Sequence, residues 1–304
     1  MAGARQTVLV ISGPTASGKS GLALAIATQK NGCVINADSM QVYAGLPILT
    51  AQPSAEDMKA APHALYGVLS PDDTCSAARW REMALAEISA CREKGCLPII
   101  TGGTGFYLKA LLQGLSPLPL VPPDVRTRMI GLQKELGNPG MHQELARRDP
   151  KTAAKLDPMN TQRNVRAMEV LEHTGKGLAE WQETPPEGPP PHLHIVTAAL
   201  LPPREDLYRN CDARFDKMLA AGALDEAREF SKTKPERCAL EKALGYPELS
   251  AHLAGKLTLA EAAEKSCQAT RNYAKRQVTW FRNQIRADII VESSRDAEKI
   301  IAKI

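Results

Sequence analysis

Short, continuous apolar runs alternate along the chain with longer amphipathic stretches. Thr7–Ile11, Cys33–Ala37, His63–Leu69, Leu97–Thr101 and His194–Leu200 are runs of five to seven residues, several rich in Val and Ile. Such runs predict strands buried on both faces. The strong helix formers from Leu22 to Ile26 predict a helix after the first strand. Ser76 to Lys94 predicts another, with Trp80, Met83, Leu85, Ile88 and Cys91 facing a core. Strands alternating with helices predict an α/β fold with a parallel sheet. At Leu115 the texture changes. Prolines fall at 117, 119, 122 and 123, and helical stretches follow at Pro123–Leu136, Met141–Arg148 and Thr161–His173. The stretch closes on Thr184-Pro185-Pro186-Glu187-Gly188-Pro189-Pro190-Pro191, which neither a helix nor a central strand tolerates. We therefore expect a core formed by residues 1–114 and 193–304, a helical insertion over 115–192, and a mostly helical C-terminal part.

Composition narrows the picture a little. With 304 residues, 43% hydrophobic, the chain can bury one large core or two modest ones. The net charge of +4 is mild, but Thr258–Arg286 alone holds six basic and two acidic residues, an excess as large as that of the whole chain. Seven cysteines stand singly, without C-x-x-C or zinc spacing, so reduced thiols in a cytoplasmic protein are expected. The first apolar run is a strand rather than a leader, and no run approaches membrane-spanning length.

The strongest chemical signal is Gly13-Pro14-Thr15-Ala16-Ser17-Gly18-Lys19-Ser20, which matches the phosphate loop G-x-x-x-x-G-K-[ST] between a strand and a helix. Glycines let the backbone wrap an anion, the helix N-terminus and loop amides present positive partial charge, and Lys19 adds a full one. The Ser20 hydroxyl is placed to hold Mg²⁺. The pattern implies a phosphate or diphosphate ligand and leaves its fate open. The strand Leu97–Thr101 ends in Gly102 instead of an aspartate, which argues against a hydrolysing ATP motor.

Other candidates are weaker alone. Asp38-Ser39-Met40-Gln41-Val42-Tyr43 follows the second strand, where open α/β sheets bind ligands; Asp38 reads equally as a helix cap. Gly102-Gly103-Thr104-Gly105 offers a close backbone approach and the Thr104 hydroxyl, or a plain strand-to-helix turn. Asp72-Asp73 reads as a turn. Arg163 and Arg166 lie one turn apart, with Arg126 and Arg128 on another helix; a solvated face explains them as well. Arg271, Lys275, Arg282 and Arg286 fall in a narrow arc at helical spacing beside Tyr273, Trp280 and Phe281. That suits a phosphate backbone, or a solvated face over a packed aromatic side.

Taken together these segments resemble the tRNA dimethylallyltransferase family, whose members attach an isopentenyl group to N6 of the adenosine 3′ of the anticodon. The resemblance rests on Gly13–Ser20, Asp38–Tyr43, Gly102–Tyr107, Gly114–Pro119, Gln162–Val170 and Ala274–Phe281, in the family's order. It implies a P-loop NTPase-like core whose loop holds dimethylallyl diphosphate through Gly13, Thr15, Ala16, Ser17, Gly18, Lys19 and Ser20, with Mg²⁺ at Ser20. It implies that Asp38 is the general base, that Thr104 helps place the reactants, and that Arg214 stabilises the leaving group. The tRNA anticodon stem-loop would meet Asp38, Ser39, Met40, Gln41, Thr104, Arg126, Gln162, Arg163, Asn164, Val165, Arg166, Arg271, Lys275 and Arg282. A cytoplasmic monomer without a membrane partner is expected. The chain departs from the family at Gln52, where a basic residue is usual, and at Lys242 and Pro247, where arginines are common. An adenylate isopentenyltransferase using free nucleotide, a small-molecule P-loop kinase and a non-catalytic RNA-binding protein are the alternatives.

Overall fold

The computed structural model describes residues 5–236 and 238–304. They separate into two compact units, one running up to Leu112 and resuming at Pro190, the other spanning Gln113–Pro189. Among the described residues of the first unit, six strands form one sheet: β1 (Gln6–Ser12), β2 (Gly32–Asn36), β3 (His63–Ala64), β4 (Leu97–Gly102), β5 (Leu193–Leu200) and β6 (Ile289–Val291). Their order is β3-β2-β4-β1-β5-β6, and every neighbouring pair is parallel. This is an α/β fold with its phosphate loop leaving the sheet's interior. Ser12 lies level with Gly102 and with Ala199, and Asn36 with Thr101. The register therefore brings the C-terminal ends of β1, β2 and β4 to one edge, where their loops can share a ligand.

The apolar runs are interior because both sheet faces are covered. Leu9, Ile11, Val34 and Ile99 pack with Leu22 and Ile26 of helix Lys19–Gln29 and with Ile300. A second cluster gathers Val42, Tyr43, Leu46, Phe215, Phe230, Leu240 and Tyr246. Helix Ala77–Glu93 buries Trp80, Ala84, Ile88 and Cys91. Met83 and Leu85, expected in that core, are only half-buried, because the buried arc advances by three or four residues from Trp80 through Ala84.

One strand expectation is corrected. The run His63–Leu69 pairs only over His63–Ala64, since Leu65 at φ 63° and Gly67 at φ 60° turn the backbone out of the sheet. Leu69 returns through an isolated parallel bridge to Tyr43. The C-terminal part is mostly helical, as expected, and adds one short strand: β6 extends the sheet beside β5, held by Asp288, whose carboxylate accepts from Thr197 N–H at 2.8 Å and Oγ1–H at 2.7 Å.

The Gln113–Pro189 unit has its own core, with Val125, Met129, Met141, Leu145, Val165 and Met168 buried together. Its first long helix, Pro123–Arg148, is broken at Gly137 (φ 67°), close to the division predicted by Gly137 and Pro139. The seven cysteines are free thiols. No described helix is long and apolar enough to cross a membrane.

Trp80 ties the second face of the sheet to the ligand edge. It is fully buried, stacks on Tyr107 with centroids 4.8 Å apart, and donates Nε1–H to the Asn36 carbonyl at 2.8 Å. We expect Trp80→Ala to reduce the unfolding free energy by about 3–5 kcal/mol in urea denaturation, and Trp80→Phe to cost less.

Candidate active site

The phosphate loop is shaped by close approaches. Gly18 adopts φ 92° and Ala16 φ 61°, conformations that turn successive N–H groups to one side. A side chain at Gly13 would lie 2.6 Å from the Leu200 carbonyl oxygen, so only glycine lets the loop pass β5. Helix Lys19–Gln29 has no side-chain hydrogen bond at its Gly18 cap and no acidic residue in its first turn, which leaves its N-terminal field available to an anion. Lys19 Nζ donates to the Pro14 carbonyl at 3.1 Å. Burial pushes its ammonium down to about 8; the Asp38 carboxylate opposes that shift and the Arg214 guanidinium adds to it. Arg214, on helix Arg204–Ala220, donates Nη1–H to Thr15 Oγ1 at 3.0 Å. Burial lowers its pKa too, again against the pull of Asp38. Ser20 is exposed in the first helical turn.

The end of β2 presents Asp38. Asn36, fully buried, accepts from Asp38 N–H at 2.8 Å and donates to the carbonyls of Asp38 and Leu65, each at 3.0 Å. Asp38 Oδ1 in turn accepts from Met40 N–H at 2.9 Å, an Asx-turn that fixes the carboxylate. Asp38 is thus a turn residue at the strand edge rather than the cap of a helix. The end of β4 is stitched to it: Ala37 N–H donates to the Thr101 carbonyl at 2.8 Å and Thr104 N–H to the Ala37 carbonyl at 3.2 Å. A Cβ at Gly102 would meet Ala37 at 2.2 Å. Thr104 Oγ1 accepts from Ser39 N–H at 2.9 Å and lies 3.2 Å from Ser39 Oγ, so its hydroxyl faces the Asp38 loop.

A cavity of about 270 Å³ joins these parts. Thr15, Asp38, Ser39, Met40 and Arg214 line it, with apolar walls from Leu49, Phe215, Met218 and Leu244 and basic or aromatic ones from Lys242, Tyr273 and Arg276. Of the departures from the family pattern, Lys242 keeps a positive charge on this wall, Pro247 is exposed, and Gln52 serves the fold, donating to the Tyr43 carbonyl at 2.8 Å. Gln41 is likewise spent on backbone, donating to the carbonyls of Thr50 and Ala51, both at 2.8 Å.

Among the expected RNA contacts, the structure separates exposed from buried. Lys275 and Arg282 are exposed on helix Leu259–Gln284, whereas Arg271 is ion-paired to Asp212 and also donates to Gln268 Oε1 at 3.0 Å. Arg286 leaves the arc expected for it, because the helix ends at Gln284 and Ile285 is extended. In the Gln113–Pro189 unit Gln162 and Arg163 are exposed. Arg166 pairs with buried Glu169 at 3.1 Å, and Arg126 lies 3.9 Å from the same carboxylate. Asn164 and Val165, expected at the RNA, are buried instead: the helical period turns them inward, where Asn164 bonds His142 and the Asp157 and Asn160 carbonyls. Sequence reading did not assign Asn36, Tyr273, Arg276 or Gln277 to the site, although Tyr273 stands beside the basic arc and Arg276 and Gln277 lie in the Ala274–Phe281 segment.

These features define a phosphate-loop α/β protein whose ligand cavity is partly apolar and faces a carboxylate. A family model described as IPP transferase matches residues 41–284. The chain is 52% identical to the tRNA dimethylallyltransferase of Paramagnetospirillum magneticum, over 97% of this chain and 94% of the relative. It is 51% identical to that of Rhodospirillum centenum, over 93% and 91%. Among solved structures, the full-length tRNA isopentenylpyrophosphate transferase of Bacillus halodurans superposes with a TM-score of 0.70 at 32% identity, covering 98% of this chain and 96% of that one. A eukaryotic dimethylallyltransferase crystallised acting on tRNA superposes with a TM-score of 0.83 at 26% identity, covering 98% and 78%. The chain belongs to the IPP transferase family of prenyltransferases.

The protonation state of Lys19 gives a test. Its charged form, which an anion needs, prevails below about pH 8 and is lost above it. Affinity for inorganic diphosphate should therefore fall as pH rises through that value. In Lys19→Gln it should be weaker throughout and lose that step, by calorimetric titration between pH 6.5 and 9.5.

Proposed function

We propose that this chain transfers the dimethylallyl group of dimethylallyl diphosphate to N6 of the adenosine 3′ of the tRNA anticodon, giving N6-(dimethylallyl)adenosine and diphosphate. One observation carries the reading: Asp38, Arg214 and the phosphate-loop residue Thr15 line one cavity whose remaining walls include Leu49, Phe215, Met218 and Leu244. A kinase has no use for that apolar wall, whereas a five-carbon allylic chain does.

The reaction forms a bond from N6 to the allylic carbon and breaks the bond from that carbon to diphosphate. The adenine amine is a weak nucleophile because its lone pair is delocalised into the ring. Asp38 would accept its proton as the new bond forms. Its carboxylate is held by the Met40 amide and its backbone by Asn36, so it is oriented before substrate arrives. Negative charge grows on the departing diphosphate. Lys19, Arg214, the loop amides and the helix N-terminus would stabilise that charge. Ser17 Oγ, buried without a partner among the described residues, is a further donor for a phosphate oxygen. Thr104 would hold the Asp38 loop against the amine.

The donor set also fits Mg²⁺. Ser20 offers an exposed hydroxyl in the first turn, and no cluster of three His, Cys, Asp or Glu among the described residues could form an all-protein cage. Ser20 would hold the ion, whose preference for oxygen ligands suits a hydroxyl at a diphosphate site. Bound there, it would neutralise leaving-group charge.

An adenine inside the anticodon loop must be turned outward to reach Asp38, which a single-stranded loop permits at modest cost. Exposed Arg163, Lys275 and Arg282 would contact the phosphate backbone, and Arg126 and Arg166, though tied to Glu169, keep exposed faces for it. A cytoplasmic monomer acting on tRNA is the simplest setting.

Incubation with dimethylallyl diphosphate, Mg²⁺ and unmodified anticodon stem-loop, followed by nucleoside mass analysis, tests the reaction. A gain of one dimethylallyl group on adenosine is expected; transfer to AMP in preference to the stem-loop would overturn the RNA reading, and consumption of ATP the whole proposal. Asp38→Ala should lower the rate about 10²–10⁴-fold while tRNA affinity stays within about tenfold. The double variant Arg163→Ala/Arg166→Ala should raise the KM for tRNA and flatten the dependence of log affinity on log salt by about one to two.

A further inference from the structure

Gln277 touches both halves of the site without facing either reactant. It lies on helix Leu259–Gln284 and is 6% exposed. Its Oε1 accepts from the Thr15 N–H at 2.8 Å, and its Nε2–H donates to the Gly103 carbonyl at 2.7 Å. Each end reaches a residue already tied to the chemistry. Thr15 also holds Arg214 through Oγ1, at 3.0 Å. Gly103 precedes Thr104, which anchors Ser39 beside Asp38 at 2.9 Å. The approach admits nothing bulkier: a Cβ at Gly103 would stand 2.4 Å from Gln277 Nε2. Trp280, one turn further along the same helix, lies against Gly105 in the same way, 2.3 Å from where a Cβ there would sit.

We propose that Gln277 is a positioning residue: its side-chain amide, bonded to the phosphate loop on one side and to the Gly103 loop on the other, sets the separation of allylic carbon and attacking amine. The inference rests on the assignment of the diphosphate to the phosphate loop and of the amine to Asp38. One loop carries the leaving group and the other the nucleophile. Each loop is built largely by its own strand, so each reactant still binds when the tie is cut. What is lost is their mutual alignment. Reaction rates depend steeply on such alignment, and an error near 1 Å costs about 10²-fold. An interaction that acts on alignment alone appears in kcat and not in ground-state binding.

Two variants test this. Gln277→Met keeps the length and removes both hydrogen bonds. Single-turnover kcat should fall about ten- to a hundredfold, while the Kd values for inorganic diphosphate and for the anticodon stem-loop each stay within about threefold of wild type. Gln277→Glu keeps the acceptor for Thr15 but, when ionised, turns a carboxylate toward the Gly103 carbonyl. Protonation restores a donor there. Its kcat relative to wild type at the same pH should therefore rise as pH falls. An unchanged kcat in Gln277→Met would overturn the proposal. So would a fall in kcat matched by equal losses in both affinities, the pattern of a merely loosened fold. Should Gln277→Met not fold, a pH-independent ratio for Gln277→Glu overturns it alone. Failure of the underlying reaction would show differently, as absent transfer by the wild-type chain.

Discussion

In the proposed reaction a base and an anionic leaving group share one small cavity, and their mutual repulsion constrains the rest of the site. Lys19 and Arg214 bring positive charge to that cavity: burial pushes both toward neutrality, and the Asp38 carboxylate opposes that shift in each. The arrangement depends on three strand ends arriving level at one sheet edge, which the parallel registers of β1, β2 and β4 supply.

Geometry at that edge is held by backbone contacts more than by catalytic side chains. Asn36 grips Asp38 on both of its backbone polar groups, and Trp80 grips Asn36 from beneath. Gly102 lies so close to Ala37 that no side chain fits between them. These are buried, satisfied hydrogen bonds in a low-dielectric setting, where loss of one partner is costly. They explain how a turn at the surface of a sheet can hold a carboxylate in one orientation.

Much of this was legible in the residues. The phosphate loop announced itself through spacing and flanks, and four of the six strands were continuous apolar runs. The third strand was overestimated because nothing apolar in His63–Leu69 reveals that Leu65 and Gly67 turn left-handed. The sixth was overlooked because it is three residues long and Ile290 is exposed. Asp38 stood out by its place after a strand. Gln277 lies within the Ala274–Phe281 segment, yet its partners Thr15 and Gly103 are 262 and 174 residues away in sequence, so no local pattern encodes those contacts. Asn164 and Val165 erred the other way: a motif suggested RNA, while the helical spacing of Val165, Met168 and Leu171 already pointed inward.

The depressed basicity of Lys19 has a consequence for proton traffic. In the folded protein its value near 8 lies below the 10.5 of an unstructured lysine. Between these values the unfolded chain holds a proton that the folded one has released, so rising alkalinity favours the fold. A diphosphate bound at Lys19 would reverse the preference, because its charge would restore the ammonium. Near pH 8 such capture would draw hydrogen ions from the medium. Its heat would then depend on the buffer that surrenders them.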